Sequence, residues 1–125
     1  MFVEKSKKLE DLLKSRVLIL DGAMGTMIQR KKLNENSFRG EKFKDCKINL
    51  TGNNDILNLS QGNIIYDIHK SYLQSGADII ETNTFNSSGI SQNDYNCSDY
   101  SYDLNFQGGL IARRAVDDYL KINPN

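Results

Sequence analysis

Several side-chain chemistries are scarce in this chain of 125 residues, and each scarcity narrows what it can do. There are two cysteines, Cys46 and Cys97, far apart and in no CxxC or Cys/His cluster. No disulfide framework or metal-binding spacing is legible in them, and two free thiols in a reducing compartment are expected. The single histidine, His69, sits in a helical pattern among apolar neighbours, with no second histidine to join it in a site, so a structural or surface role is expected. Charge of one sign is also lacking: Lys plus Arg and Asp plus Glu stand at 16 each. A net charge of zero offers no basic field to nucleic acid or to an anionic membrane. No apolar run approaches the roughly 20 residues that span a bilayer. The opening "MFVEKSKKLEDLLKS" alternates charges instead of presenting an apolar signal core, so the cytoplasm is the expected compartment. The sequons at Asn49 and Asn86 then carry no chemical meaning. There is no low-complexity tract and no repeat of 20 to 50 residues.

A hydrophobic content of 38% suffices for one modest core, so one domain or part of one is expected. Leu9, Leu12 and Leu13 mark a lysine-rich amphipathic helix over residues 1–15, expected to cover one end of the domain. "RVLIL", Arg16 to Leu20, is a continuous apolar run of strand length, the pattern of a parallel strand buried on both faces. Met24, Met27 and Ile28 return to helical spacing. A long polar segment from Arg30 to Asp55 comes next, and Phe38 and Phe43 within it point to a folded excursion. Ser60 is the expected N-cap of a helix carrying Ile64, Ile65, Ile68 and Tyr72, which Gly76 stops. "ADIIETNTF", Ala77 to Phe85, reads as a second buried strand. After a tyrosine-rich connection, Leu104, Ile111, Ala115 and Tyr119 mark a last long helix, weakened by Gly108 and Gly109. Strands alternating with helices predict an α/β architecture with right-handed βαβ units.

Two clusters fall at the carboxyl ends of the expected strands, where parallel α/β folds build their sites. Asp21 follows the first. Glu81, Thr82, Asn83 and Thr84 follow the second, a polar density unusual for the end of a buried strand. Gly22 and Gly25 allow backbone amides to approach a ligand. An acid beside free amides suits a zwitterion, with Asp21 taking an ammonium and the amides a carboxylate. The plainer alternatives are a tight turn in which Asp21 caps the next helix, and a solvated loop over Glu81 to Thr84. "DGAMG" is neither GxGxxG nor GxxxxGK, so nucleotide phosphate has little support. No residue is identified as a nucleophile or as a general acid or base.

The segments "LILDGAMGTMIQ", "FRGEKF", "LTGNNDILNLS" and "SYLQSGADIIETNTFNSS", in this order and spacing, resemble the homocysteine-binding domain of the homocysteine S-methyltransferase family, and within it that of cobalamin-dependent methionine synthases. The resemblance runs from about Arg16 to about Leu120. It implies a (β/α)8 TIM barrel, of which residues 1–125 would be the N-terminal part: the first two βα units, behind a helical extension over residues 1–15. It also implies methyl transfer to the homocysteine thiol, with zinc on that thiol, cobalamin carrying the methyl group and a folate module recharging it. Asp21, Gly22 and Ala23 match the part that holds the amino-acid end of homocysteine, and Glu81, Thr82, Asn83 and Thr84 match the pocket floor. The family's zinc cysteines, two of them in a Gly-Gly-Cys-Cys motif, have no counterpart here, so no metal ligand is assigned to this chain. "SQGN" and the pair Gly108–Gly109 also depart from the family pattern, in which the glycine positions are usually alanine. Two other readings stand beside the first: one half of a split methyltransferase, and a small non-enzymatic α/β binding module.

Overall fold

The structure is a computed structural model that describes residues 2–124, with their side chains from Ser6 onward. Helices dominate it. Helix α1 (Phe2–Ser15) is charged along most of its length, and Leu9 and Leu13 remain exposed, so it does not cover the body as its spacing predicted. Helix α2 (Met24–Arg30) buries Ile28 on its inner face. The segment expected as a long polar loop contains helix α3 (Glu35–Arg39), whose N-cap Asn34 accepts a hydrogen bond from the Ser37 amide. Beyond it the chain is pinned by side chains. Arg39 pairs with Glu35 at 2.8 Å and donates to the carbonyls of Cys46 and Ile48, while Glu35 accepts from the Leu50 and Thr51 amides. Phe38 and Phe43 are both buried, as a folded excursion requires.

A 3-10 turn over Asn54–Ile56 leads into helix α4 (Leu57–Ser60), and helix α5 (Gly62–Gln74) begins after Gln61. Ser60 is therefore the end of one helix and not the cap of the next. Its hydroxyl donates back to the Ile56 carbonyl, and α5 starts with no side-chain cap. Gly76, at φ +100°, ends the α5 region, a conformation that costs a residue with a Cβ. Short helix α6 (Gly89–Gln92) and two 3-10 turns occupy the tyrosine-rich connection, and helix α7 (Ser101–Ile122) closes the chain. α5 lies along α7, with α4 wedged against both. Leu50, Ile56, Leu57, Ile65, Ile68 and Leu104 are sealed from solvent between them. Each buried aliphatic side chain of this kind contributes on the order of 2 kcal/mol.

The expected α/β fold, an incomplete TIM barrel of two βα units, is not what forms. Among the described residues there is no strand and no sheet; the segments expected as strands meet in one isolated parallel bridge, Leu20 to Ile79. The hydrogen bonds give the reason. The Ile79 amide donates to the Ile19 carbonyl and the Asp21 amide to the Ile79 carbonyl, which makes one rung. The next rungs in a parallel ladder need the Ile19 and Glu81 amides as donors. Both are taken by carboxylates instead: Asp78 Oδ2 accepts from Ile19 at 2.9 Å and Asp21 Oδ2 from Glu81 at 3.0 Å. Nor is the first segment buried on two faces, since Val17, Ile19 and Leu20 are all exposed.

Candidate functional site

The single bridge still does one thing of consequence: it sets Asp21 beside Glu81. A cleft of about 670 Å3 opens there, lined by Asp21 to Gly25, by Gly52, Asn54 and Asp55, and by Glu81 to Asn86. The residues singled out from the sequence, Asp21, Gly22, Ala23, Glu81, Thr82, Asn83 and Thr84, thus all border one space.

Asp21 is half-buried, and its two oxygens differ. Oδ2 accepts from the Glu81 amide; Oδ1 is buried with no hydrogen-bond partner among the described residues. Burial raises the carboxyl above its ordinary range, against the opposing effect of the Glu81 amide. An acceptor stripped of water and left without a donor is costly, and the group that relieves it best is a cationic donor. Asp21 does not cap the following helix. The N-cap position of α2 is Ala23, with no side-chain hydrogen bond, so the first amides of the helix are left uncapped beside the cleft. A Cβ at Gly22 would lie 3.0 Å from the Tyr72 hydroxyl, which donates to the Ala23 carbonyl, so a side chain there requires the tyrosine ring to shift. At Gly25 a Cβ would meet only an ordinary contact with Asn54.

Along the Glu81 to Thr84 side of the cleft the four polar residues divide. Glu81 and Thr82 are exposed, and Thr84 is half-buried with its hydroxyl 2.7 Å from that of Thr82. Asn83 is buried, and its amide group is already committed: Nδ2 donates to the Asn54 carbonyl and to Asn58 Oδ1. It braces the wall from behind. Asn58 Nδ2 in turn donates to the carbonyls of Asn83 and Leu104, tying the wall to α4 and α7. Asp55, 3% exposed, accepts from the Asn86 amide at 2.8 Å and from the Ser87 hydroxyl at 2.7 Å. Its burial raises the carboxyl above the usual range although both hydrogen bonds pull it down. Sequence reasoning had not placed Asn54, Asp55 or Asn86 in the site. The signal for the first two was present in "TGNND", a polar cluster at a helix start.

Among the described residues no group of three or more His, Cys, Asp or Glu side chains could hold a metal ion. Cys97 lies in the core, where burial raises its thiol, and Cys46 packs against that core; neither borders the cleft. This donor set does not fit a zinc thiolate site. No helix among the described residues is long and apolar enough to cross a membrane.

The cleft sets a carboxylate with one hydrogen-bonded oxygen, and one without a partner among the described residues, beside the uncapped start of α2. The family model described as homocysteine S-methyltransferase matches residues 18–124. The chain belongs to the homocysteine S-methyltransferase family, whose chemistry is methyl transfer to the sulfur of homocysteine.

Proposed function

We propose that the cleft holds the amino-acid end of L-homocysteine, with the Asp21 carboxylate accepting from the substrate ammonium and the uncapped amides at the start of α2 facing the substrate carboxylate. One observation carries the reading: a buried carboxylate oxygen without a donor among the described residues, beside uncapped amides that border the same cleft. Asp21 works by charge and position. Its desolvation is relieved when the ammonium arrives, so binding draws the carboxyl back down and is lost as pH falls through its raised value. Thr82 and Thr84 border the same space with hydroxyl donors, and Asn83 keeps their backbone in place.

In this reading residues 1–125 supply the amino-acid-binding part of a homocysteine-binding domain, with α1 as an extension ahead of the family region. The four matched segments support methionine synthesis as the particular reaction, with cobalamin and folate modules as the partners that carry and renew the methyl group. Zinc would have to be held by residues other than those described.

The test is calorimetric titration of the chain with L-homocysteine and with 4-mercaptobutyrate, which lacks the amine, repeated on Asp21→Asn. A charge-assisted hydrogen bond is worth about 1.5–3 kcal/mol, so loss of either the amine or the carboxylate weakens binding by roughly ten-fold or more. Equal affinity of the wild type and Asp21→Asn for L-homocysteine refutes the assignment.

A further inference from the structure

Two adjacent glycines, Gly108 and Gly109, stand in the middle of α7, where each is unfavourable relative to alanine. Their surroundings differ completely. A Cβ on Gly109 would meet nothing within 4 Å. A Cβ on Gly108 would lie 2.6 Å from Thr84 Cγ2 and 2.9 Å from Asn58 Nδ2. Neither neighbour is free to withdraw. Thr84 is held by its hydroxyl on Thr82, and Asn58 Nδ2 is held by the Asn83 and Leu104 carbonyls.

We infer that Gly108 is a positioning residue for the cleft: its bare α-carbon seats the Thr84 methyl in α7 and thereby turns the Thr84 hydroxyl onto Thr82. The inference rests on the homocysteine reading of the cleft for its ligand, and on contact geometry for the rest. A threonine side chain has one methyl and one hydroxyl on a stiff Cβ, so fixing where the methyl goes fixes where the hydroxyl goes. Two hydroxyls that share one hydrogen bond use one proton between them and keep the other. The Thr82–Thr84 pair therefore holds one O–H free for a ligand in the cleft that Asp21 also borders, and its direction is set from α7. At Gly108 the helix gives up local stability for this contact; the sequence signal, a glycine where the family pattern usually has alanine, reads as a defect until the structure shows what it touches.

The experiment compares Gly108→Ala, Gly109→Ala, Thr84→Ser and the double variant Gly108→Ala/Thr84→Ser in the full chain. Tm, Kd for L-homocysteine and the Thr82 and Thr84 NMR resonances are read in each. Gly109→Ala raises Tm and leaves Kd unchanged, as helix propensity alone dictates. Gly108→Ala shifts both threonine resonances and raises Kd by roughly five-fold or more, the cost of one misdirected hydrogen bond. Thr84→Ser removes the nearer obstruction, the methyl at 2.6 Å, and keeps the hydroxyl, while the Asn58 Nδ2 contact at 2.9 Å stays, so the double variant recovers the two side-chain resonances and part of the affinity relative to Gly108→Ala. The inference is overturned if Gly108→Ala behaves like Gly109→Ala, or if the residue 82 and 84 resonances of the double variant are as far from those of Thr84→Ser as the Gly108→Ala resonances are from the wild type. Should Gly108→Ala fail to fold, the wild type still decides: an NOE between the Thr84 methyl and the Gly108 α-protons supports the seat, and its absence overturns it. If the wild type does not bind L-homocysteine, the substrate reading falls, while the NOE and the resonance rescue still judge the positioning.

Discussion

Asn58 is the residue whose removal should cost the cleft wall most. It is 4% exposed, and its side chain makes three hydrogen bonds: Nδ2 to the Asn83 carbonyl at 2.7 Å and the Leu104 carbonyl at 3.1 Å, and Oδ1 from Asn83 Nδ2 at 3.1 Å. Leucine has nearly the same shape and none of the polarity. Losing three bonds at about 1 kcal/mol each, with the Asn83 carbonyl left without its donor, predicts that Asn58→Leu destabilises the chain by about 2–4 kcal/mol. Asn58→Asp separates hydrogen bonding from shape. Its second carboxylate oxygen would face the Asn83 and Leu104 carbonyls, acceptor against acceptor, so at neutral pH it is the worse of the two variants. Protonation returns one donor, and acidification recovers part of the loss. Urea unfolding measures both, with an unchanged m-value showing that the folded state is still as compact. The amide resonances of Thr82 to Phe85 report whether the wall has moved. Asn58→Leu within about 0.5 kcal/mol of the wild type, the ordinary range of a surface substitution, refutes the bracing role.

His69 offers a test of pH dependence. It is fully buried in α5, neither ring nitrogen has a partner among the described residues, and burial lowers its basicity below the usual 6.5. The unfolded chain takes up a proton near 6.5 and the folded chain only at lower pH, so the His69 contribution is whole above about pH 6.5 and declines as pH falls. His69→Leu should flatten that decline and raise stability by about 1 kcal/mol or more at pH 5.5; thermal unfolding at pH 7.5 and 5.5 that shows the same slope in variant and wild type counts against it. Asp78 is lowered too, by its hydrogen-bond partners instead of by burial. The Arg16 guanidinium and the Ile19 amide hold its carboxyl at about 2, below the ordinary 3.8. Its stabilisation is present above pH 4 and lost as pH falls toward 2. Carboxyl NMR titration should place the midpoint near 2 and move it upward in Arg16→Gln; an unmoved midpoint removes Arg16 from the explanation.

The helices are largely legible in the sequence because their information is local. Met24, Met27 and Ile28 mark α2; Ile64, Ile65, Ile68 and Tyr72 mark α5; Leu104, Ile111 and Ala115 mark α7; and each spacing survives in the structure. Ser60 misleads because capping depends on which way a hydroxyl turns, and here it turns back to Ile56. The expected strands mislead for a similar reason at longer range. "RVLIL" and "ADIIETNTF" have strand composition, but whether a ladder extends beyond one rung depends on competition for two amides, and the competitors, Asp21 and Asp78, belong to the ends of those same segments.

The family and the residues that gather at the cleft could be taken from the amino-acid order, because short motifs carry both. How those residues divide their work could not. That Asn83 faces inward while Thr82 faces the cleft, that Asp55 anchors Asn86 and Ser87, and that Gly108 and not Gly109 admits the Thr84 methyl all depend on contacts between residues tens of positions apart. Composition and spacing are properties of one segment at a time; the direction of a side chain is settled by the neighbours that reach it from other segments.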